Sequence, residues 1–559
     1  MTHVDGIPVP EKPLVGRQPS AAPSPHVGST GPTSEATRLL CVGTYLDVEY
    51  RSRVIEELVE HEERTVAPSL GIDVVPVLAH ALRARVQEMQ LAAVLLALWA
   101  AFLTLSILHV GPGKSGPIQL TGVASPPWAV VYAVICLLIW LGRVVSGRNT
   151  AVSVVDDHSM SATPTGRRLS TGRYLRRVAW AAAIFYWVEA VRGSALLAVA
   201  FPLAIAAAIG WHRYRVAEVL RGVLAPENFT EAGRPTLPPA QRYQRIRAAV
   251  DREQYSPMVI YDPFRPFIGA GEAHGSWSLA IELRRKDPVR DGKEPELTSR
   301  DVLGLITPRL ERLKEVSAAT SRDRLKDLEL QECVLLPPGP ARTTDLYRPD
   351  AVAAHVAAAV DEGAEARRLF LRIRVGAWDE QVIVTILLRV HTQGGMLVLE
   401  VIPHVLGPVR AEFGRGDAIA ARAEGGLARG ALSALLTAPV ASVATAVSVG
   451  RTVSSYFRLL MTDPRDLPPD GPAASVRELG TRTAVLLFQE MDISRYVKTI
   501  QDRIVNGARE ALKSQGYETG EFEQQVYNVA QGAVFIGGSM SGGAVATAGG
   551  SAAHTTAGE

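Results

Sequence analysis

The longest apolar runs in the chain fall between residues 91 and 211, and they set what is expected of the rest. Residues 91–110 carry no charge, residues 128–141 with their flanks form a second run, and 178–211 form a third, broken once near Glu189, Arg192, Gly193 and Ser194. A hydrocarbon core of about 30 Å takes roughly 20 helical residues. The pattern therefore predicts a transmembrane block at 89–213, with segments at 91–110, 126–145, 176–192 and 195–212. One helix over 178–211 would be about 51 Å long, so two short helices turning at 192–194, or a re-entrant hairpin, are expected instead. Glu189 and Arg192, at i and i+3, are placed to pair at that turn.

Basic residues orient these segments. Arg83 and Arg85 precede the first run, six arginines lie in 146–177, and Arg213, Arg215 and Arg221 follow the last. The loop at 111–127 has only Lys114. Short cytoplasmic loops collect basic residues, so both termini are expected in the cytoplasm of a bacterium, with the chain crossing the plasma membrane several times.

Outside the block the pattern changes. Residues 1–34 are rich in Pro, Ser and Gly and read as a disordered tail. Residues 35–88 read as a small cytoplasmic α/β cap, with a strand at 39–45 (LLCVGTY), a helix at 49–64 and a second helix from Asp73 that runs into the first span. Beyond 213 a soluble α+β domain is expected at 214–462. Its elements are a helix at 240–253, strands at 258–261, 277–283 and 328–336, and helices opening at the Thr298/Asp301 box and at Asp350. Alternation at 369–375, 382–390 and 396–402 predicts a β-meander. Its middle strand is apolar on both faces and so needs cover on both. Residues 431–450 lack charge but are diluted by Ala, Ser, Thr and Pro439, and read as a packed or interfacial helix, with a fifth span as the alternative. A Pro-rich linker at 463–475, a helical segment at 476–530 and a Gly/Ala-rich tail at 531–559 complete the chain. The fold class expected is an α-helical membrane block of about four segments plus a cytoplasmic α+β domain with an antiparallel meander.

Composition narrows the function classes. A net charge of +2 argues against a nucleic-acid surface. The 51 arginines against 8 lysines, with abundant Ala, Gly and Val, are a genomic G+C skew rather than a binding device. Cys41, Cys136 and Cys333 stand far apart, which removes a disulfide framework or a Cys-based zinc site. The histidines show no metal-ligand spacing, so neither metal nor cofactor is expected.

Several motifs read more plainly in context. Gly111–Ser115 (GPGKS) lacks the first glycine of a phosphate loop, since position 108 is Leu108, and a span precedes it. The glycines of 269–275 lead into a strand rather than a helix, so they do not form a dinucleotide loop. The acids beside His61 lack the second histidine of a zinc motif and read as a solvated helix face. Residues 526–536 are uncharged and β-prone, as in self-associating segments, but read as a helix end followed by a tail.

The best site candidate is the loop at 263–271 with its neighbours. Phe264, Arg265 and Phe267 set an apolar body and a fixed charge between two prolines, with Glu272 and His274 beyond. Prolines lower the entropy lost on binding, which suits a ligand- or partner-gripping loop. In the alternative, both phenylalanines fill the core and Arg265 pairs with Glu272.

Leu40-Cys41 with Tyr45-Leu46-Asp47, the run from Val66 to Asp73, and the run from Arg265 to Gly271 with Trp277-Ser278 resemble a family of actinobacterial multi-pass membrane proteins. The resemblance implies membrane placement for most of 38–530 and carries no activity, substrate or catalytic residue. Three functions fit: a membrane-anchored cytoplasmic signalling or scaffolding protein, a transporter or channel component, and an enzyme at the membrane face. Expected partners are the lipid bilayer and either another protein or further copies of the chain.

Overall fold

The computed structural model describes residues 34–108, 127–145, 166–286, 297–320, 323–339, 344–361, 367–422, 427–461, 470–482 and 484–530. The GPGKS motif, the tails, residues 531–536 of the β-prone segment and the first part of the Pro-rich linker lie outside them. The chain opens with α1 (Glu35–Leu46) and α2 (Val48–Ile55), which passes into a π-helical turn at Glu56–Glu60. Next come α3 (Val74–Leu108), α4 (Trp128–Val145), α5 (Gly166–Arg192), α6 (Leu196–Gly222), the single turn α7 (Pro226–Phe229) and α8 (Gln241–Glu253). Strands β1 (Met258–Ile260), β2 (Glu272–Ala273) and β3 (Trp277–Glu282) precede α9 (Ser299–Thr320), β4 (Glu329–Leu336) and α10 (Pro349–Asp361). The meander β5 (Arg368–Ala377), β6 (Val382–Gln393) and β7 (Met396–Leu406) leads to α11 (Arg415–Arg422), α12 (Leu427–Met461), α13 (Val476–Leu479), α14 (Leu487–Ser514) and α15 (Gly520–Ala530). The expected class is the observed one: apolar helices joined to an α+β domain with an antiparallel meander.

The expected strand at 39–45 is instead α1. Ser34 caps it by accepting from the Thr37 amide at 3.2 Å, and every residue from Ala36 to Leu46 is buried. A helix covered on all sides shows no 3.6-residue stripe, so its short apolar run mimics a strand. The cap is accordingly helical rather than α/β. Its core unites α1, α2 and the base of α3 with the end of α6, α8, α11 and Phe413. Arg38, 2% exposed, crosses this core to Asp417 at 2.7 Å and to the Leu224 carbonyl at 2.9 Å.

Among the described residues, four helices are long and apolar enough to cross a bilayer: Val74–Leu108, Trp128–Val145, Leu196–Gly222 and Gly430–Ser454 within α12. Helix α5, expected to span from 176, is not among them, yet it packs into the same core through Ala179, Ala183, Tyr186 and Ala190. It turns into α6 as expected, with Ser194 in the left-handed region and Glu189 3.9 Å from Arg192. The centre of the bundle is filled by rings. Phe102 stacks on Phe201 at 4.9 Å, Trp99 on Tyr132 at 5.7 Å, and Tyr186 meets Trp128 at 5.3 Å.

Helix α12 packs on the bundle through Ala438, Val440 and Ala441, and two of its stretches meet α6 and the base of α3. Near its start, Thr437 accepts from Arg213 at 2.7 Å, just past the apolar run of α6. Arg451 and Thr452, about 21 Å further along the helix, line a cavity with Arg85 and Glu88, just before the apolar run of α3.

The sheet runs β1-β4-β5-β6-β7-β2, with β3 also on the outer edge of β7. Among the described strands of this sheet, β1 and β4 pair in parallel and the other pairs are antiparallel. Between β2 and β3 the chain carries one extra residue relative to β7 (Ala273 faces His404, Trp277 faces Val401), a bulge around His274–Ser276. Both faces of β6 are covered, as its pattern requires. α9 and α14 pack Val302, Ile306, Ile500 and Ile504 over Val384, Ile386 and Leu388. On the other face Leu387 joins Cys333, Leu335 and Phe370, while Ile383 meets Leu70 of the cap. Helix α14 thus belongs to the sheet's own core.

Candidate functional site

The loop at 263–271 begins as an Asx turn: Asp262 Oδ1 accepts from the amides of Phe264 and Arg265, both at 2.8 Å. It ends on two glycines in the left-handed region, Gly269 and Gly271. A Cβ on Gly269 would sit 2.6 Å from the Pro68 carbonyl oxygen, and one on Gly271 would overlap the backbone of Val405. Glycine is required at both by conformation and by space. Their amides donate to one acceptor, Oε1 of Glu478, at 2.7 and 3.0 Å. Burial raises the Glu478 carboxyl above its usual range, opposed by those two amides.

The five predicted site residues divide. Phe267 is half-buried and packs against the core, edge-on to Phe370 at 5.6 Å and to His404 at 5.1 Å. The Arg265 guanidinium donates to the Ala473 carbonyl rather than pairing with Glu272. His274 sits in the bulge, its amide donating to the Pro403 carbonyl at 2.8 Å. Glu272 is exposed on the edge strand β2. Phe264 is 93% exposed and is the one large apolar side chain that the loop offers to solvent. The loop is mostly held by the fold, while Phe264 and Glu272 are exposed.

What holds it is a strap that sequence pattern reads as linker. Residues 470–482 thread between cap, loop and sheet. Asp470 exchanges backbone hydrogen bonds with Glu63 and Thr65. Glu57, expected on a solvated face, is buried and accepts from the amides of Ala473 and Ala474 at 2.8 and 3.3 Å. Arg477 is fully buried. It donates to the carbonyls of Gln381 and Gly407 at 2.9 and 3.0 Å, to that of Glu380 at 3.4 Å and to the Thr481 hydroxyl at 2.6 Å. Burial lowers its pKa to about 10, with Tyr50 and Glu380 acting the other way. Its carbonyl partners lie in and beside the β5–β6 turn, where Trp378, Asp379 and Glu380 are all left-handed. Each such non-glycine residue costs roughly 1–2 kcal/mol, and Arg477 helps to offset that cost by satisfying the turn's carbonyls.

A polar cavity of about 380 Å³ opens where α2 and the π-turn meet the base of α3 and the far part of α12. Arg51, Arg53, Arg85 and Arg451 line it together with Glu49, Glu56, Glu60 and Glu88. Sequence spacing gave no sign of it, because its walls come from three distant stretches. Among the described residues, no three or more His, Cys, Asp and Glu side chains gather as a metal site. The three thiols are buried and free, and burial pushes that of Cys333 up to about 11, which leaves it unreactive.

The fold and these sites define a class: an apolar helical bundle whose base is locked to an α+β sheet domain. The sequence model of the AbeC-like domain family matches residues 276–543, just under half of the chain. The match begins one residue before β3 and takes in β3–β7 and α9–α15, but not the first four bundle helices. No curated protein and no solved structure matches the chain.

Proposed function

We propose that the chain is a multi-pass bacterial membrane protein that holds its sheet domain at the cytoplasmic face as a rigid scaffold for a protein partner. The observation that carries this reading is the filled bundle: stacked rings occupy its centre, where a transport path would need polar, hydrated walls. The strap and the buried Arg38 network support the rigid mounting. Support for docking comes from the exposed Leu486, Leu487, Phe488 and Met491 at the start of α14, an apolar cluster of the kind that marks interaction surfaces.

The test has two arms. A photo-crosslinking residue at position 488 should give a discrete protein adduct in intact cells, weakened by Leu487→Ser and absent with the probe at Lys326. Vesicles reconstituted with the full chain should pass ions and small solutes no faster than empty ones. Protein-dependent flux, or an adduct pattern that ignores Leu487→Ser, would replace the scaffold reading with the transporter one.

A further inference from the structure

We propose that the cavity between α2, the base of α3 and α12 binds the headgroup of a zwitterionic phospholipid of the phosphoethanolamine class. The inference rests on the membrane-anchor reading and adds a ligand to it.

Position comes first. Glu88, in the cavity wall, lies one turn before Leu91, where the apolar run of α3 begins, and that is the depth of lipid headgroups in a spanning helix. Helix α12 carries an apolar surface beside the cavity. Leu432, Leu436, Val447, Val453 and Phe457 are all exposed along it, and at 100° per residue they share one stripe. Acyl chains held by that stripe would bring their headgroup to the cavity mouth.

Charge decides which headgroup. Four arginines and four glutamates balance to zero, and most pair internally. Arg51 pairs with the buried Glu88, Arg53 lies 3.2 Å from Glu49, and Arg85 lies 3.9 Å from Glu60. Arg451 and Glu56 remain, both exposed and each without an ion-pair partner among the described residues. An anionic lipid would answer Arg451 and leave Glu56 facing extra negative charge. A zwitterion answers both: its phosphate on Arg451 with the hydroxyls of Ser448 and Thr452, its ammonium on Glu56. A phosphocholine head carries no N–H to donate to Glu56, so the ethanolamine head fits better.

The test is native mass spectrometry of the full chain, purified in detergent and offered equal amounts of phosphoethanolamine, phosphocholine and phosphoglycerol lipids. Wild type should retain the ethanolamine lipid preferentially. Arg451→Gln should lower that retention about fivefold, equivalent to roughly 1 kcal/mol. Glu56→Gln should move the preference toward the phosphoglycerol lipid. Both side chains are exposed, so unchanged melting temperatures are expected and keep the comparison clean. Equal retention of the three lipids, or variants that behave as wild type, would overturn the proposal. So would soluble glycerophosphoethanolamine binding as tightly as the lipid, which would point to a free headgroup. Alkaline washing of native membranes separates the two levels. Release of the chain defeats the anchor itself, whereas retention without lipid preference defeats only this inference.

Discussion

The bundle core and the strap at 470–482 hold the molecule in opposite ways. In the bundle, rings and alanines pack around Phe102, Tyr186 and Ile205, and the stabilisation is non-directional. At the strap, Arg477 and Glu478 within it and Glu57 and Arg265 reaching onto it each bond backbone groups far away in sequence, and the geometry is directional. Packing of the first kind tolerates changes that conserve volume, losing rigidity before stability. A buried charge of the second kind tolerates almost nothing, because removing it strands its partners in a dry interior. The bundle places the chain, and the strap orients what the bundle carries.

The sharpest way to separate the two regions is Ile386→Asp. Ile386 is fully buried at the centre of β6, and an unpaired carboxylate there should cost more than about 4 kcal/mol. Proteolysis of native membranes should then degrade the sheet domain while the bundle fragment stays membrane-bound. Loss of both together would show that the regions fold as one. Arg477→Ala comes next. It strands three carbonyls beside a strained turn, and a loss of about 3 kcal/mol is expected, read as a fall in melting temperature of the full chain. Arg477→Lys should recover only part, since one ammonium cannot reproduce the planar fork.

Acidification should act on the sheet domain through His404. Burial lowers the His404 pKa below its usual 6.5, against the Ile402 carbonyl and Glu272, which act the other way. A group with a depressed folded pKa contributes stability above its unfolded pKa and loses it as pH falls toward the folded one. Melting of the sheet domain should therefore drop as pH falls below about 6.5, and His404→Asn should flatten that response. Phe264→Ala should have the smallest effect. With the ring 93% exposed, the melting temperature should stay unchanged, and a clear fall would show that the loop tip is structural after all.

Much of this was legible in the residues, and the failures have physical causes. The meander was readable because Val382 to Val390 alternate under a buried face, and the α9 start because Thr298 and Asp301 box each other at 2.7 Å. Helix α1 misled because burial on every side erases periodicity. The strap misled because prolines and a short helix look like a linker, while Arg477 and Glu478 are defined by carbonyls and amides that no local pattern encodes. The site loop was found for its prolines and glycines, yet Gly269 and Gly271 matter for a close backbone approach to Pro68 and Val405. The cavity was invisible for the same reason as the strap: its walls meet only in three dimensions.

The central claim is that the junction mounts the sheet domain rigidly on the bundle. Spin labels at Glu218→Cys, at the base of α6, and Lys326→Cys, on the sheet domain, measure it directly in reconstituted membranes. Both positions are exposed, while the native cysteines are buried. A single narrow distance distribution is predicted, broadening when Arg477→Ala is added. A broad distribution in the unmodified background would contradict rigid mounting and leave the sheet domain merely tethered.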